Sequence, residues 1–71
     1  MTPIQNAIAF NIAVLAHLLA DARSVAAEAG EAASAGRTNE AIGGLALIER
    51  SAAEAGALIA ASLALHRLNR S

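Results

Sequence analysis

The segment "AGRTNEA" at residues 35–41 decides how this chain folds. Gly36 can take the left-handed conformation that closes a helix C-terminus. Thr38, with Asn39 as the alternative, has the side chain of a helix N-cap, and Glu40 suits the positive end of a helix. One helix therefore stops and another starts within a few residues. A link of about three residues forces the two helices to run antiparallel.

Working outward, "TPIQ" at 2–5 is a helix start. Thr2 caps, Pro3 suits the first turn, and Gln5 completes a capping box. At the other end, Arg67 and Arg70 lie where cations favour a helix C-terminus. The expected fold is all-α: an antiparallel two-helix hairpin with helices over about 3–35 and 39–68. At ~1.5 Å per residue each arm is roughly 45–50 Å long.

Composition agrees. The chain has 71 residues, enough for one domain, taken here as 1–71. It contains no Cys, one Phe and one Pro. Alanine, the best helix former, dominates, and strand-forming residues are scarce. All five basic residues are Arg, a bias that fits a high-GC bacterial or phage genome. The net charge of −1 supplies no basic field, so nucleic acid is not an expected partner. "MTPIQN" carries no Lys or Arg, which argues against a secretory leader and for a cytoplasmic location. The "ADA" at 20–22 resembles a cleavage site only because alanine is everywhere.

In a hairpin of this length, residues whose numbers sum to about 74 should lie side by side. Gly30 would face Gly44, Leu18 would face Gly56, and Asn11 would face Leu63. Gly43 and Gly44 inside a helix cost roughly 2 kcal/mol relative to alanine; close approach to Gly30 explains them, with local bending as the alternative. Helix 1 has a seam at Ile4, Ile8, Asn11, Leu15, Leu18, Ala22, Val25, Ala29 and Ala32, the 4-3 alternation of a coiled coil. Its wet face runs through Asn6, His17, Asp21, Ser24, Glu28 and Glu31, with Phe10 and Val14 beside it. Helix 2 shows two apolar stripes. One, Ile42, Leu45, Ile48, Ala52, Ile59 and Leu63, is expected to face helix 1. Near the turn, small Ala41, Gly43 and Gly44 would meet Val25, Ala26, Ala29, Gly30 and Ala33, and at the open end Ile59, Leu63 and Leu65 would meet Ile4, Ile8, Ile12, Leu15 and Leu19. Leu47, Leu58, Ala61, Leu65 and Leu68 are left over, and one partner helix cannot cover both.

"AIAFNIAVLAHLLA", residues 7–20, is apolar on nearly every side. Two helices have no interior, and even a compact globule of this size buries only about 60% of its unfolded surface. Self-association into a four-helix or larger bundle is therefore expected. The residues assigned to that contact are Ile8, Phe10, Asn11, Leu15, Leu18, Leu47, Leu58, Leu65 and Leu68. Asn11, the one polar member of the seam, would fix register or oligomer state.

Sites for chemistry are sparse. His17 and Asp21, four apart on a helix, could present two metal ligands, but a complete site needs three or four. An exposed His–carboxylate pair is the plainer reading. His66, Arg67 and Arg70 form a small basic cluster beside the start of helix 1, where an anion such as a phosphate or nucleotide could bind. Compensation of the helix dipole explains the same residues. Arg50 and Glu54, also four apart, suit an ion pair. No Cys, Lys or Tyr, no phosphate loop and no carboxylate pair supports catalysis, so neither an enzyme nor a cofactor is expected.

The function expected from these features is that of a non-enzymatic, homo-oligomeric interaction protein. It would act as a small regulator, inhibitor or adaptor that binds another protein through its assembled helix surface. One alternative is a nucleotide or small-ligand sponge with intersubunit anion pockets. Another is a short membrane-active, holin-like protein. Against the latter, Asp21 and Arg23 close the first apolar run, and Glu49, Arg50 and Glu54 precede the second.

Overall fold

The computed structural model describes residues 2–70, of which all but the N-terminal cap and a short turn are helical. Helix α1 spans Pro3–Ser34 and helix α2 spans Thr38–Arg70, packed against each other as a hairpin. α1 starts as its sequence requires. The Gln5 amide donates to Thr2 Oγ1 at 3.1 Å, and the Thr2 amide donates to Gln5 Oε1 at 2.9 Å. Both halves of the capping box are thus made, with Pro3 in the first turn.

The turn is a Schellman motif. Gly36 has φ +81°, its amide donates to the Ala33 carbonyl at 3.1 Å, and the Arg37 amide donates to the Ala32 carbonyl at 2.8 Å. α2 begins one residue earlier than the sequence suggests. The Arg37 carbonyl accepts the Ala41 amide, so Arg37 holds the cap position and Thr38 is already helical. Arg37 Nε donates to Glu40 Oε2 at 2.7 Å across that first turn. Both side chains are more than half exposed, so the pair adds little stability.

The seam on α1 is the expected one. Ile4, Ile8, Asn11, Leu15, Leu18, Ala22, Val25 and Ala29 are half-buried and Ala32 is buried. Val14, also half-buried, borders the seam on the side of Asp21 and Glu28. On α2 the covered positions are Ala41, Gly44, Ile48, Ser51, Ala55, Leu58, Ser62 and Leu65, again in 3-4 alternation. The only buried side chains among the described residues are alanines: Ala32 at 2% exposure, Ala55 at 7% and Ala41 at 8%.

This seam overturns the expected facing of α2. Ile42, Leu45, Ile59 and Leu63 were expected against α1, yet all four are exposed, as is Ala52. Leu58, expected on the outer stripe, packs inward, and so does Leu65, which the sequence places both on that stripe and opposite helix 1 at the open end. The cause is register. Asn11 Nδ2 donates to Ser62 Oγ at 3.3 Å, and a methyl at Gly44 would lie 3.0 Å from Ala29 Cβ. Both pairs sit one residue away from the expected pairing of Asn11 with Leu63 and Gly44 with Gly30. One residue turns a helix by about 100°, enough to carry the seam from one stripe to the ground between the two. Gly30, Gly43 and Gly56 have open space where a Cβ would stand, so Gly44 alone among the in-helix glycines serves close approach.

The product is a rod of 53 × 16 × 11 Å with a radius of gyration of 16.1 Å. A compact chain of this length has a radius of roughly 11 Å.

Candidate interaction surface

The hairpin has two broad faces, one on either side of the seam. Depressions between the helices show which rows share a face. Ala26, Gly30 and Ala33 of α1 line one with Ala41 and Leu45 of α2, and nearer the middle Leu19 lines another with Ala52. On the opposite side Glu28 of α1 lines a depression with Glu40, Gly43 and Leu47 of α2. Helical periodicity extends these rows along the rod.

The first face carries two rows at heptad spacing: Gln5, Ile12, Leu19, Ala26 and Ala33 on α1, and Thr38, Leu45, Ala52, Ile59 and His66 on α2. Neither row contains an Asp, Glu or Arg. Ile42 and Leu63 extend the second row outward, in a row that also holds Glu49 and Arg70. Six large apolar side chains, Ile12, Leu19, Ile42, Leu45, Ile59 and Leu63, therefore lie on this face, each between 46% and 57% exposed. The second face has Ala7, Val14, Asp21 and Glu28 on α1 and Glu40, Leu47, Glu54, Ala61 and Leu68 on α2. Four carboxylates interrupt it, and Phe10 stands exposed at its margin with Leu47 and Leu68.

The residues assigned from sequence to a contact between copies divide accordingly. Ile8, Asn11, Leu15, Leu18, Leu58 and Leu65 lie in the seam within one chain, while Phe10, Leu47 and Leu68 are free on the acidic side. Sequence reasoning missed the apolar face itself. The signal was present: small residues at 41, 44, 51, 55 and 62 repeat at heptad spacing and mark where two helices touch closely.

His66, Arg67 and Arg70 are exposed in the last two turns of α2 and share one side of it. His17 and Asp21 are exposed one turn apart on α1. Among the described residues no three His, Asp or Glu side chains converge where they could hold a metal ion. The Asn11 amide donates to Ser62 Oγ inside the hairpin, a polar contact between α1 and α2 within the seam.

The chain exposes 5129 Å². A compact protein of the same mass exposes roughly 4,100 Å². The surplus of about 1,000 Å² is the size of one side of a standard protein interface. Fold and surface together define a helical hairpin with one unpartnered apolar face and one acidic face. No family model, curated protein or solved structure matches the chain.

Proposed function

We propose that this chain is a non-enzymatic interaction protein that works as a homo-oligomer and presents its outer helix surface to another protein, as a small regulator, inhibitor or adaptor. The observation that carries the proposal is the exposure of nine large apolar side chains on a hairpin whose buried residues, among those described, are three alanines. Six of the nine lie together on one face, and soluble monomers rarely leave a contiguous apolar patch of that kind bare. Self-association would cover the apolar face. The acidic face, with Phe10, Leu47 and Leu68 among Asp21, Glu28, Glu40 and Glu54, would remain for a partner whose apolar groove has a basic rim.

A second reading rests on a separate observation. Among the described residues, α1 alone is long and apolar enough to cross a membrane, judged by length and composition. The stretch Pro3–Ala20 contains no Asp, Glu, Lys or Arg. On that reading the protein is a short membrane-active chain. Fractionation of the expressed protein separates the two. Recovery from the detergent-free supernatant as a multiple of the chain mass supports the interaction protein. Recovery only from the membrane pellet supports the membrane-active reading, and a soluble species at 7.1 kDa contradicts both.

A further inference from the structure

We infer that the occupant of the apolar face is a second copy of this chain, laid face to face with its turn over the open end of the first. The two-fold axis would pass across the Leu19–Ala52 depression. The inference rests on the self-association proposed above and adds the face, the orientation and the register.

Charge selects the face. The two heptad rows hold no carboxylate or guanidinium, and Glu49 lies only in the outer row with Ile42 and Leu63, whereas pairing the other faces would bring Asp21, Glu28 and Glu54 against their own copies, Glu40 being paired with Arg37. Area selects a partner of this size, because the surplus exposed surface matches one side of a standard interface.

The order of large and small residues selects the orientation. Leu19 and Ala52 line one depression near mid-length, so an axis there pairs each with its own copy. Counting outward on α1, Ile12 then lies over Ala26 of the other copy. On α2, Ile59 lies over Leu45, and Leu63 comes level with Ile42. Each end layer thus contains two Ile, one Leu and one Ala, and the central layer two Leu and two Ala. The filling is nearly even along the rod, as close packing requires. The opposite orientation, turn over turn, stacks four isoleucines at the open end. It leaves the depression lined by Ala26, Gly30 and Ala33 facing its own copy. That arrangement is a wedge with a void at the turn.

The chain has no cysteine, so one introduced thiol reports cleanly. A spin label on Ser34→Cys, exposed in the last turn of α1, reads orientation by pulsed dipolar spectroscopy. The inferred arrangement places the two labels about 45–50 Å apart, close to the length of the rod. Turn over turn would give less than about 30 Å, because packed helices lie 8–10 Å apart. Leu19→Cys should form an interchain disulfide under mild oxidation, and Leu47→Cys should not. An oligomer with the short label distance, or one cross-linked through Leu47 and not Leu19, overturns the inference and leaves self-association standing. A 7.1 kDa species in light scattering overturns both. Co-sedimentation of the wild-type chain with phosphatidylcholine vesicles, lost in Leu19→Glu, would give the face to lipid and overturn the inference too.

Discussion

Two adjacent glycines at 43 and 44 differ in what surrounds them, and the difference is measurable. Gly43 points into open space, while a methyl on Gly44 would press Ala29 Cβ at 3.0 Å. Gly43→Ala should therefore raise stability by about 1 kcal/mol through helix propensity. Gly44→Ala should forfeit that gain, because the helices must part to admit the methyl. Thermal unfolding at one fixed protein concentration compares them, since assembly would make the midpoint concentration-dependent. Gly36 is a third case. Its φ of +81° is unfavourable for any residue with a Cβ, so Gly36→Ala should cost roughly 1–2 kcal/mol. Gly36 was legible in the sequence because a helix end followed by a new start demands such a residue. The role of Gly44 was legible only as close approach. The partner, Ala29 in place of Gly30, depends on a register that composition does not fix.

At the scale of the elements, capping and length could be read directly, and facing could not. Thr2, Pro3 and Gln5 act within one turn of chain, so their arrangement is local and the capping box is present as expected. The α1 seam was also legible, since its residues from Ile4 to Ala32 recur in an unbroken 4-3 alternation. α2 is ambiguous because two apolar stripes compete and the true seam between them is built of small residues. The Asn11–Ser62 hydrogen bond is one of the contacts that decide the matter. Ser62→Ala should cost about 0.5–1.5 kcal/mol by leaving a half-buried amide without its partner. The double variant Asn11→Leu/Ser62→Ala should recover that loss, because the polar demand is then gone from both sides. A double-mutant cycle followed by urea unfolding measures the coupling. Additive effects would show that the hydrogen bond does not hold the register.

The molecule as a whole is a rod whose two faces differ in charge and oiliness, and that asymmetry is what the sequence hid most completely. Apolar residues were visible as an excess that one hairpin cannot bury, but a shift of one residue moved the excess to the wrong side. With the register known, Ile12, Leu19, Leu45 and Ile59 replace Leu58 and Leu65 as the uncovered surface. Substitution on the two faces should then give opposite results. Leu19→Glu places a carboxylate at the centre of the apolar face and should dissociate the assembly by at least tenfold in concentration, a change of about 1.4 kcal/mol. Phe10→Ser, on the acidic side, should leave assembly unchanged and weaken binding to a partner protein instead.

The measurement that bears most directly on whether copies cover the apolar face is sedimentation equilibrium of the wild-type chain beside Leu19→Glu, with helicity followed by circular dichroism. The account predicts a helical wild type at a multiple of 7.1 kDa and a variant shifted toward 7.1 kDa. A wild-type chain that is fully helical and stays at 7.1 kDa at every concentration, with Leu19, Leu45 and Ile59 open to water, would contradict it.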